Sequence, residues 1–383
     1  MNKIITAPLF FCLLLTASLQ AAVLPEDRAD IMYHRYDGGG VTIDGPSLLV
    51  RKEFKDKISV SANYYVDNVS SASIDVETSG ASRYSETRTE YSLAADYLYD
   101  KTIISGGITS SDENDYQANS SYLAVSQDFF GDLSTLSMSY GRGNDTVMQN
   151  GNDSFEDDVD RQNFRLGLSQ VASKNLLLNF NFETITEEGY LNNPYRSYRF
   201  IDPANDFDNP TNYLTALEVY PHTRTSDAFA LSASYFLSYR AAIKGEYRYF
   251  TDDWEISADT FQLSYTHPLK EDWILDIHYR SYSQSSAYFY SDLFDFQSAD
   301  EKDFRARDKE LSDLNSQTIG LAASYKHKIN HVMLDRSAIS LQYDYIQFEY
   351  DNFRDLTADA GLGEEPLYSL NAHVVRLFCS IWY

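Results

Sequence analysis

Cysteine is nearly absent from this chain, with only Cys12 and Cys379 among 383 residues. The first of these sits in a stretch that reads as a secretory leader. Lys3, the apolar residues 4–19 and the small residues after Gln20 follow the charged, apolar, small-residue order of such signals. The expected division is a leader at 1–21 and a mature chain at 22–383, in which Cys379 alone excludes an intramolecular disulfide. A lipid anchor on Cys12 would need a small residue before it, and Phe10-Phe11 stand there. Also missing beyond the leader is any run of the ~18 to 20 apolar residues that a membrane-spanning helix needs. Basic residues are scarce too: 31 Lys and Arg face 57 Asp and Glu, giving a net charge of -26 and excluding nucleic acid as a natural partner.

What is abundant is tyrosine. The chain holds 31 Tyr and 22 Phe, yet its mean hydropathy is -0.42. Aromatic-rich but polar on average is what strands with one wet face require. The pattern that decides the matter has a period of two. Ile58, Val60, Ala62, Tyr64 and Val66 share one face, while Ser59, Ser61, Asn63, Tyr65 and Asp67 share the other. The same alternation recurs in Tyr91, Leu93, Ala95, Tyr97, then in Leu176, Leu178, Phe180, Phe182, and again in Ile339, Leu341, Tyr343, Tyr345. A soluble sandwich would fill its inner faces with Val, Ile and Leu. Here the apolar face is heavy in Tyr, and the opposite face carries Glu, Asp, Asn and Arg. The expected fold is an all-β transmembrane antiparallel barrel of about 16 strands, with 14 as the alternative.

Connections alternate in length. Short ones at 55–57, 100–101, 131–132, 174–175, 239–240, 270–272 and 328–331 suit periplasmic turns. Long, polar ones at 68–88, 111–118, 143–160, 187–223, 285–313 and 349–367 suit extracellular loops. If the first short turn is periplasmic, the strand ending at Phe54 descends into it, and a barrel whose N-terminus lies in the periplasm needs an ascending strand before that one. Residues 28–36 supply it, with Gly38-Gly39-Gly40 as the first outer loop. At the other end Val375, Leu377, Cys379, Ile381 and Tyr383 form an alternating strand closed by an aromatic. Such strands resemble those read by the barrel-assembly machinery of outer membranes, which the resemblance implies as a partner in biogenesis.

Several stretches carry a family resemblance: Leu24-Pro25-Glu26-Asp27-Arg28-Ala29-Asp30, SETRTEY at 85–91, NNPYRS at 192–197, YPHTRTS at 220–226, GEYRYF at 245–250, FYSDLF at 289–294 and ARDKELS at 306–312. Through them the mature chain resembles a domain-of-unknown-function family of proteobacterial outer-membrane proteins. The resemblance implies class and location, with outer-membrane lipid and lipopolysaccharide as surroundings, and transfers no catalytic residue. Neighbouring genes in such families imply periplasmic, redox-linked partner proteins.

Motifs for chemistry are absent from the spacing. The seven His lie at 34, 222, 267, 278, 327, 331 and 373, without metal-ligand spacing, so no cofactor or metal is expected. The Ser–His or Asp–His motifs of outer-membrane hydrolases are not recognisable either, and no enzymatic activity is expected. Residues 112–115 and 156–160 offer the oxygen ligands calcium prefers but lack an EF-hand pattern, and read as solvated acidic surface that shares divalent cations with lipopolysaccharide. More telling are charges at lumen parity, because an Arg or Lys against lipid at the midplane costs about 2 to 4 kcal/mol. By this parity Arg165, Asn179, Asn181, Glu183, Lys244, Glu246, Arg248, Asp276, His278 and Arg280 line the interior. The long segment 187–223 mixes Tyr, Pro and Arg and is expected to fold into the mouth. Arg196, Arg199 and Arg224 would there face acids such as Asp292 or Glu310 in a constriction. The expected function is a porin-like channel or transport component for small polar solutes. A closed docking barrel is the alternative and a hydrolase the third reading.

Overall fold

The computed structural model describes residues 22–71, 73–74, 84–202, 213–297, 303–331 and 334–383. The expected leader therefore lies outside the described residues. Sixteen antiparallel strands close into one barrel in the order β1-β18-β17-β16-β15-β14-β13-β12-β9-β8-β7-β6-β5-β4-β3-β2. In chain order they are β1 (Arg28–Gly38), β2 (Val41–Phe54), β3 (Ile58–Ser71), β4 (Tyr84–Tyr99), β5 (Thr102–Asp112), β6 (Tyr116–Phe129), β7 (Ser134–Met148), β8 (Glu156–Ser173) and β9 (Leu176–Gly189). The ring continues with β12 (Thr223–Phe236), β13 (Ala242–Asp252), β14 (Ser257–Leu269), β15 (Trp273–Gln284), β16 (Leu314–His331), β17 (Leu334–Arg354) and β18 (Leu367–Trp382). A separate hairpin, β10 (Ser197–Ile201) and β11 (Tyr213–Leu217), is inserted between β9 and β12. Closure is made by β1 against β18, in register from Arg28↔Trp382 to Gly38↔Ala372.

The alternation of the sequence becomes the two faces of the wall. In β3, Ile58, Val60, Ala62 and Tyr64 are exposed outward while Ser59, Tyr65, Asp67 and Ser71 are buried inward. Around the ring, Leu93, Ile108, Leu123, Leu231, Ile319, Leu321, Ile339 and Leu341 stand outward and exposed, an apolar belt that water would not tolerate and a bilayer covers. Aromatic pairs border it: Tyr64–Tyr91 and Tyr140–Phe164 above, with ring centroids 5.1 and 4.7 Å apart, and Trp273–Tyr325 below at 5.0 Å. From Tyr91 to Tyr99 the strand covers about 27 Å, or about 21 Å of height at a ~40° tilt, close to the ~25 Å band of such barrels.

Tight turns join the strands at one end. Two-residue Gly39-Gly40, at φ 58° and 77°, links β1 to β2 at the opposite, long-loop end, where a hairpin of this twist demands left-handed residues. Several strands exceed the ~9 to 11 residues needed to cross a bilayer. β17 has 21 residues and β8 and β16 have 18 each, so the wall rises past the belt at the long-loop end.

This extension corrects the expected loops. The polar stretch 111–118 is mostly strand, with a link of only 113–115, and the stretch 143–160 shrinks to 149–155 between β7 and β8. Above the belt both faces of a strand meet water, so polarity there no longer marks a loop. The expected turn at 328–331 is strand too, since β16 runs to His331. A short link at 253–256 joins β13 to β14 at the long-loop end, where no connection was expected.

Candidate functional site: a charged lumen beneath a folded cap

The inward faces of β8 and β9 carry a tight polar group. Arg165 Nη2 lies 2.6 Å from Glu183 Oε1, and Asn163 Nδ2 donates to the same oxygen at 2.7 Å. Asn179 donates to Ser232 Oγ of β12 at 3.2 Å, while Asn181 faces the interior but stays exposed. On β13 the Lys244 ammonium lies 2.8 Å from Glu246, and Arg248 stacks over Phe250 with 5.6 Å to the ring centroid. On β15 Asp276 accepts a hydrogen bond from Thr266, and Arg280 lies over Tyr282 at 6.0 Å. His278 lies 3.4 Å from Asp344 of β17, which also receives Arg376 at 3.0 Å. Gly320 of β16 makes room for that crossing, because a Cβ there would fall 2.1 Å from His278 Cε1. Among the described residues the inward-facing guanidinium groups of Arg51 on β2, Arg248 and Arg280 have no carboxylate within 4.0 Å. Exposed Asn181, Lys244 and Arg280 pointing inward mark an interior wide enough to be wet.

Above this zone the mouth is covered. The described residues of the insert (190–202 and 213–222) and of the β15–β16 link (285–297 and 303–313) lock together with the β17–β18 link 355–366 around Asp292. Arg199, only 1% exposed, pairs with Asp292, and its Nη1 reaches Glu365 Oε1 at 2.5 Å. Arg307 lies 2.9 Å from Asp292 and stacks on Phe353 at 4.3 Å. Burial alone would raise the Glu365 carboxyl, but the Arg199 guanidinium holds it below the ordinary value. Backbone pairing adds to the lock: Val219 and Arg305 exchange bonds of 3.0 and 2.9 Å, and Ile201 N donates to Phe294 O at 2.9 Å. Beneath lies an apolar cluster of Tyr220, Trp254, Ile256, Ala287, Phe289, Ala306 and Leu311, against which inward-facing Phe250 packs.

Two adjacent residues show that the cap spans the opening. The Tyr195 hydroxyl donates to Asp115 in the β5–β6 link at 2.7 Å, while Arg196 pairs with Asp308 and lies 3.8 Å from Glu310, both in the β15–β16 link. In the ring, β6 and β15 are seven steps apart, as are β5 and β16 the other way round. These two links are therefore diametrically opposed, and residues 195 and 196 touch both.

Of the residues expected at a constriction, Arg196, Arg199, Asp292 and Glu310 lie in the cap, with changes of partner, and Arg224 lies on the wall. Arg199 meets Asp292. Arg196 meets Asp308 more closely than Glu310, because the short 3-10 turn at Lys309–Leu311 has Asp308 as its N-cap and aims Glu310 outward. Arg224 is no loop residue: β12 begins at Thr223, and Arg224 pairs with Asp252 of the neighbouring strand at 2.6 Å and stacks on Trp254 at 4.6 Å. Sequence reading missed Glu365, Asp308, Arg305, Arg307 and Glu218. The Tyr, Pro and Arg content of 187–223 marks that segment as unlike a floppy loop, but nothing local announces its pairing with 305–308. The residues of the C-terminal signal, Val375, Leu377, Cys379, Ile381 and Tyr383, share the outward parity of β18. A His–Asp pair is also present: His34 Nε2 lies 2.7 Å from Asp67 Oδ1, stacked on Tyr65. Both residues are buried, the Tyr65 hydroxyl lies 3.1 Å from the same Nε2, and among the described residues His34 Nδ1 has no hydrogen-bond partner.

A family model described as Protein of unknown function (DUF3570) matches residues 75–165 and 153–349. The chain belongs to that family. The DUF3570 match runs from the approach to β4 as far as β17, and so takes in the insert and the β15–β16 link that build most of the cap. Among solved structures, a bacterial polysaccharide outer membrane secretin is similar at a TM-score of 0.50 and 7% identity, covering 94% of this chain and 100% of that one. OmpT, an outer membrane protein of Vibrio cholerae, is similar at 0.42 and 10%, and the outer membrane protein opdK from Pseudomonas aeruginosa at 0.42 and 9%, each covering 94% of this chain and 100% of the other. At these identities the likeness concerns the fold, which is that of outer-membrane β-barrels. The sequence matches no curated protein.

Proposed function

We propose that this protein is an outer-membrane channel for small polar solutes whose extracellular mouth is narrowed by its own loops. The leader is removed on export, the tight turns face the periplasm, and lipid with lipopolysaccharide surrounds the belt. The observation that carries the reading is the pairing of a wet, charged interior with a cap anchored on opposite walls at Tyr195 and Arg196. Paired and unpaired charges of both signs across a lumen set up a transverse field that sorts solutes by size and charge. The acidic net charge of -26 concentrates cations at the rim. The outward residues of β18, ending in Tyr383, serve the barrel-assembly machinery during insertion.

Planar-bilayer recording tests this directly. Wild-type protein should give small steps, and a variant with Arg199→Ala and Arg307→Ala, in which the cap loses its hold on Asp292, should give larger ones. Silence from both proteins would replace the channel with a closed barrel that docks periplasmic partners. The feature favouring that second reading is the cap's density, since Arg199, Phe353, Ala306 and Ser312 are almost fully buried. We assign no enzymatic step to the His34–Asp67 pair.

A further inference from the structure

Three carboxylates from two hairpins meet at the long-loop end of the wall. Glu86 lies near the start of β4, Glu113 and Asp115 lie in the β5–β6 link, and one oxygen from each is within 4.8 Å of the other two. Glu86 and Asp115 are buried and Glu113 is partly so, which removes them from the solvated acidic surface that residues 112–115 suggest in sequence. Among the described residues Arg88 is a cation beside them, 3.5 Å from Glu113, and it is shared with Glu90 at 2.8 Å and Asp67 at 3.9 Å. Asp115 is the revealing member. It is 1% exposed; Oδ2 accepts the Tyr195 hydroxyl, and among the described residues Oδ1 has no donor. A carboxylate oxygen taken out of water without a partner is costly unless something cationic completes it.

We propose that Glu86, Glu113 and Asp115 form a calcium site that fastens the cap to the barrel wall through Tyr195. Oxygens held about 2.3 to 2.6 Å from one ion can be no more than about 5 Å apart, which is the spread observed. An all-carboxylate set with irregular spacing suits calcium over magnesium, whose smaller shell demands near-octahedral order and keeps its waters. Burial, together with Glu86, Asp115 and Asp67 and against the pull of Arg88, pushes the Glu113 carboxyl up to about 7, the strain that a divalent ion relieves. Because Asn150 N donates to the Tyr195 hydroxyl at 2.6 Å and Gln149 donates to Pro194 O at 3.1 Å, an ion at Asp115 would steady the whole edge of the cap beside β7 and β8.

The test is calorimetric titration of the full mature chain, folded in detergent and stripped with a chelator, with calcium chloride and in parallel with magnesium chloride. One saturable calcium site per chain is expected, at least tenfold tighter than for magnesium, with a raised melting temperature and slower proteolysis near residue 195. Asp115→Asn should abolish binding and Glu113→Gln should weaken it at least tenfold. Should Asp115→Asn fail to fold, Glu113→Gln still decides: it should melt higher than metal-free wild type, since repulsion is relieved, yet gain little from calcium. No uptake by wild type, or wild-type affinity in Glu113→Gln, overturns the site. So does binding that vanishes only when the exposed acids Glu156, Asp157 and Asp158 are neutralised. Calcium uptake is measurable whether or not the barrel conducts, so the two readings fail separately.

Discussion

The cap and the lumen beneath it use the same side chains under different rules. Arg199 in the cap is 1% exposed and holds two carboxylates, whereas Lys244 in the lumen is 45% exposed and holds Glu246 alone. In the cap the ions are withdrawn from water, so each is tolerable only because its partners are in place. In the lumen water screens the pair, and either partner remains content without the other. The cap is therefore an element that opens or holds as a unit. In the proposed channel, the lumen is a lining whose members would act on a solute one at a time.

The largest expected effect breaks the cap side of this contrast. Arg199→Leu leaves Asp292 facing Arg307 and Arg354 but takes the guanidinium from Glu365, and losing one partner of such a buried set costs about 3 to 5 kcal/mol. Limited proteolysis should then cut within residues 195–217 while the strand signal in circular dichroism stays intact. A cap as resistant as wild type would mean that the apolar cluster around Trp254 and Phe289, and not the ions, holds it.

Next in size is a pH effect that sets a cap carboxylate against one on the wall. Glu365 is held below its ordinary value by Arg199, so its contribution is present above the ordinary carboxylate range and fades as pH falls below it. Glu113 is opposite. With its carboxyl at about 7 in the folded chain and near 4.5 when unfolded, the folded state binds more protons between those values, and stability falls as pH rises through them. The groups facing it are Glu86 and Arg88 of β4, Asp67 of β3, and Asp115, with Tyr195 beyond. At ~1.4 kcal/mol per pH unit the cost approaches about 3 kcal/mol by pH 7. Metal-free protein should melt lower at pH 7.5 than at pH 5.5, and Glu113→Gln should flatten that slope.

How much of this was legible in sequence follows from the same physics. Period two in residues 58–67 is readable because each strand has one face on the belt and one on the interior, and Ile58 and Ser59 report different surroundings directly. Around Asn144 and Thr146 that contrast disappears, since both faces of the extended wall are wet, and the strand looks like a loop. The cap's ion pairs are harder still. Arg199 lies 93 residues from Asp292 and 166 from Glu365, so neither spacing nor periodicity links them. Only the Tyr, Pro and Arg content of 187–223 hinted at folding. Its partners became visible once the ring placed the β5–β6 and β15–β16 links on opposite sides.

A middle-sized test probes whether the lumen has any close-packed part. Gly320→Ala would put a methyl 2.1 Å from His278 Cε1 and 2.3 Å from Asp344 Oδ1, both sides of the His278–Asp344 contact. Overpacking of this kind costs about 1 to 3 kcal/mol. The melting temperature should drop, while cap proteolysis stays at the wild-type rate. Equal damage at both places would show that wall and cap are one cooperative unit.

The smallest effect on stability belongs to Lys244→Gln. The Lys244–Glu246 pair is exposed on both sides, at 45% and 36%, and such pairs contribute about 0 to 1 kcal/mol, so melting should barely move. Its electrical effect should be larger than its thermal one. Removing the ammonium leaves Glu246 bare in a lumen where Arg248 and Arg280 are the remaining strand-borne cations on β13 and β15, and the local field turns more acidic. Reversal-potential measurements across a salt gradient should shift toward cations in Lys244→Gln, and shift the other way in Glu246→Gln. If both variants keep the wild-type reversal potential while conducting normally, ions pass along some other arc of the wall, where Ser120, Ala124 and Ser139 line β6 and β7. A solute then meets a different set of inward groups, with Tyr122 between Ser120 and Ala124 and with Asp96, which accepts from Ser105 at 2.6 Å, and Arg51 on the strands beyond.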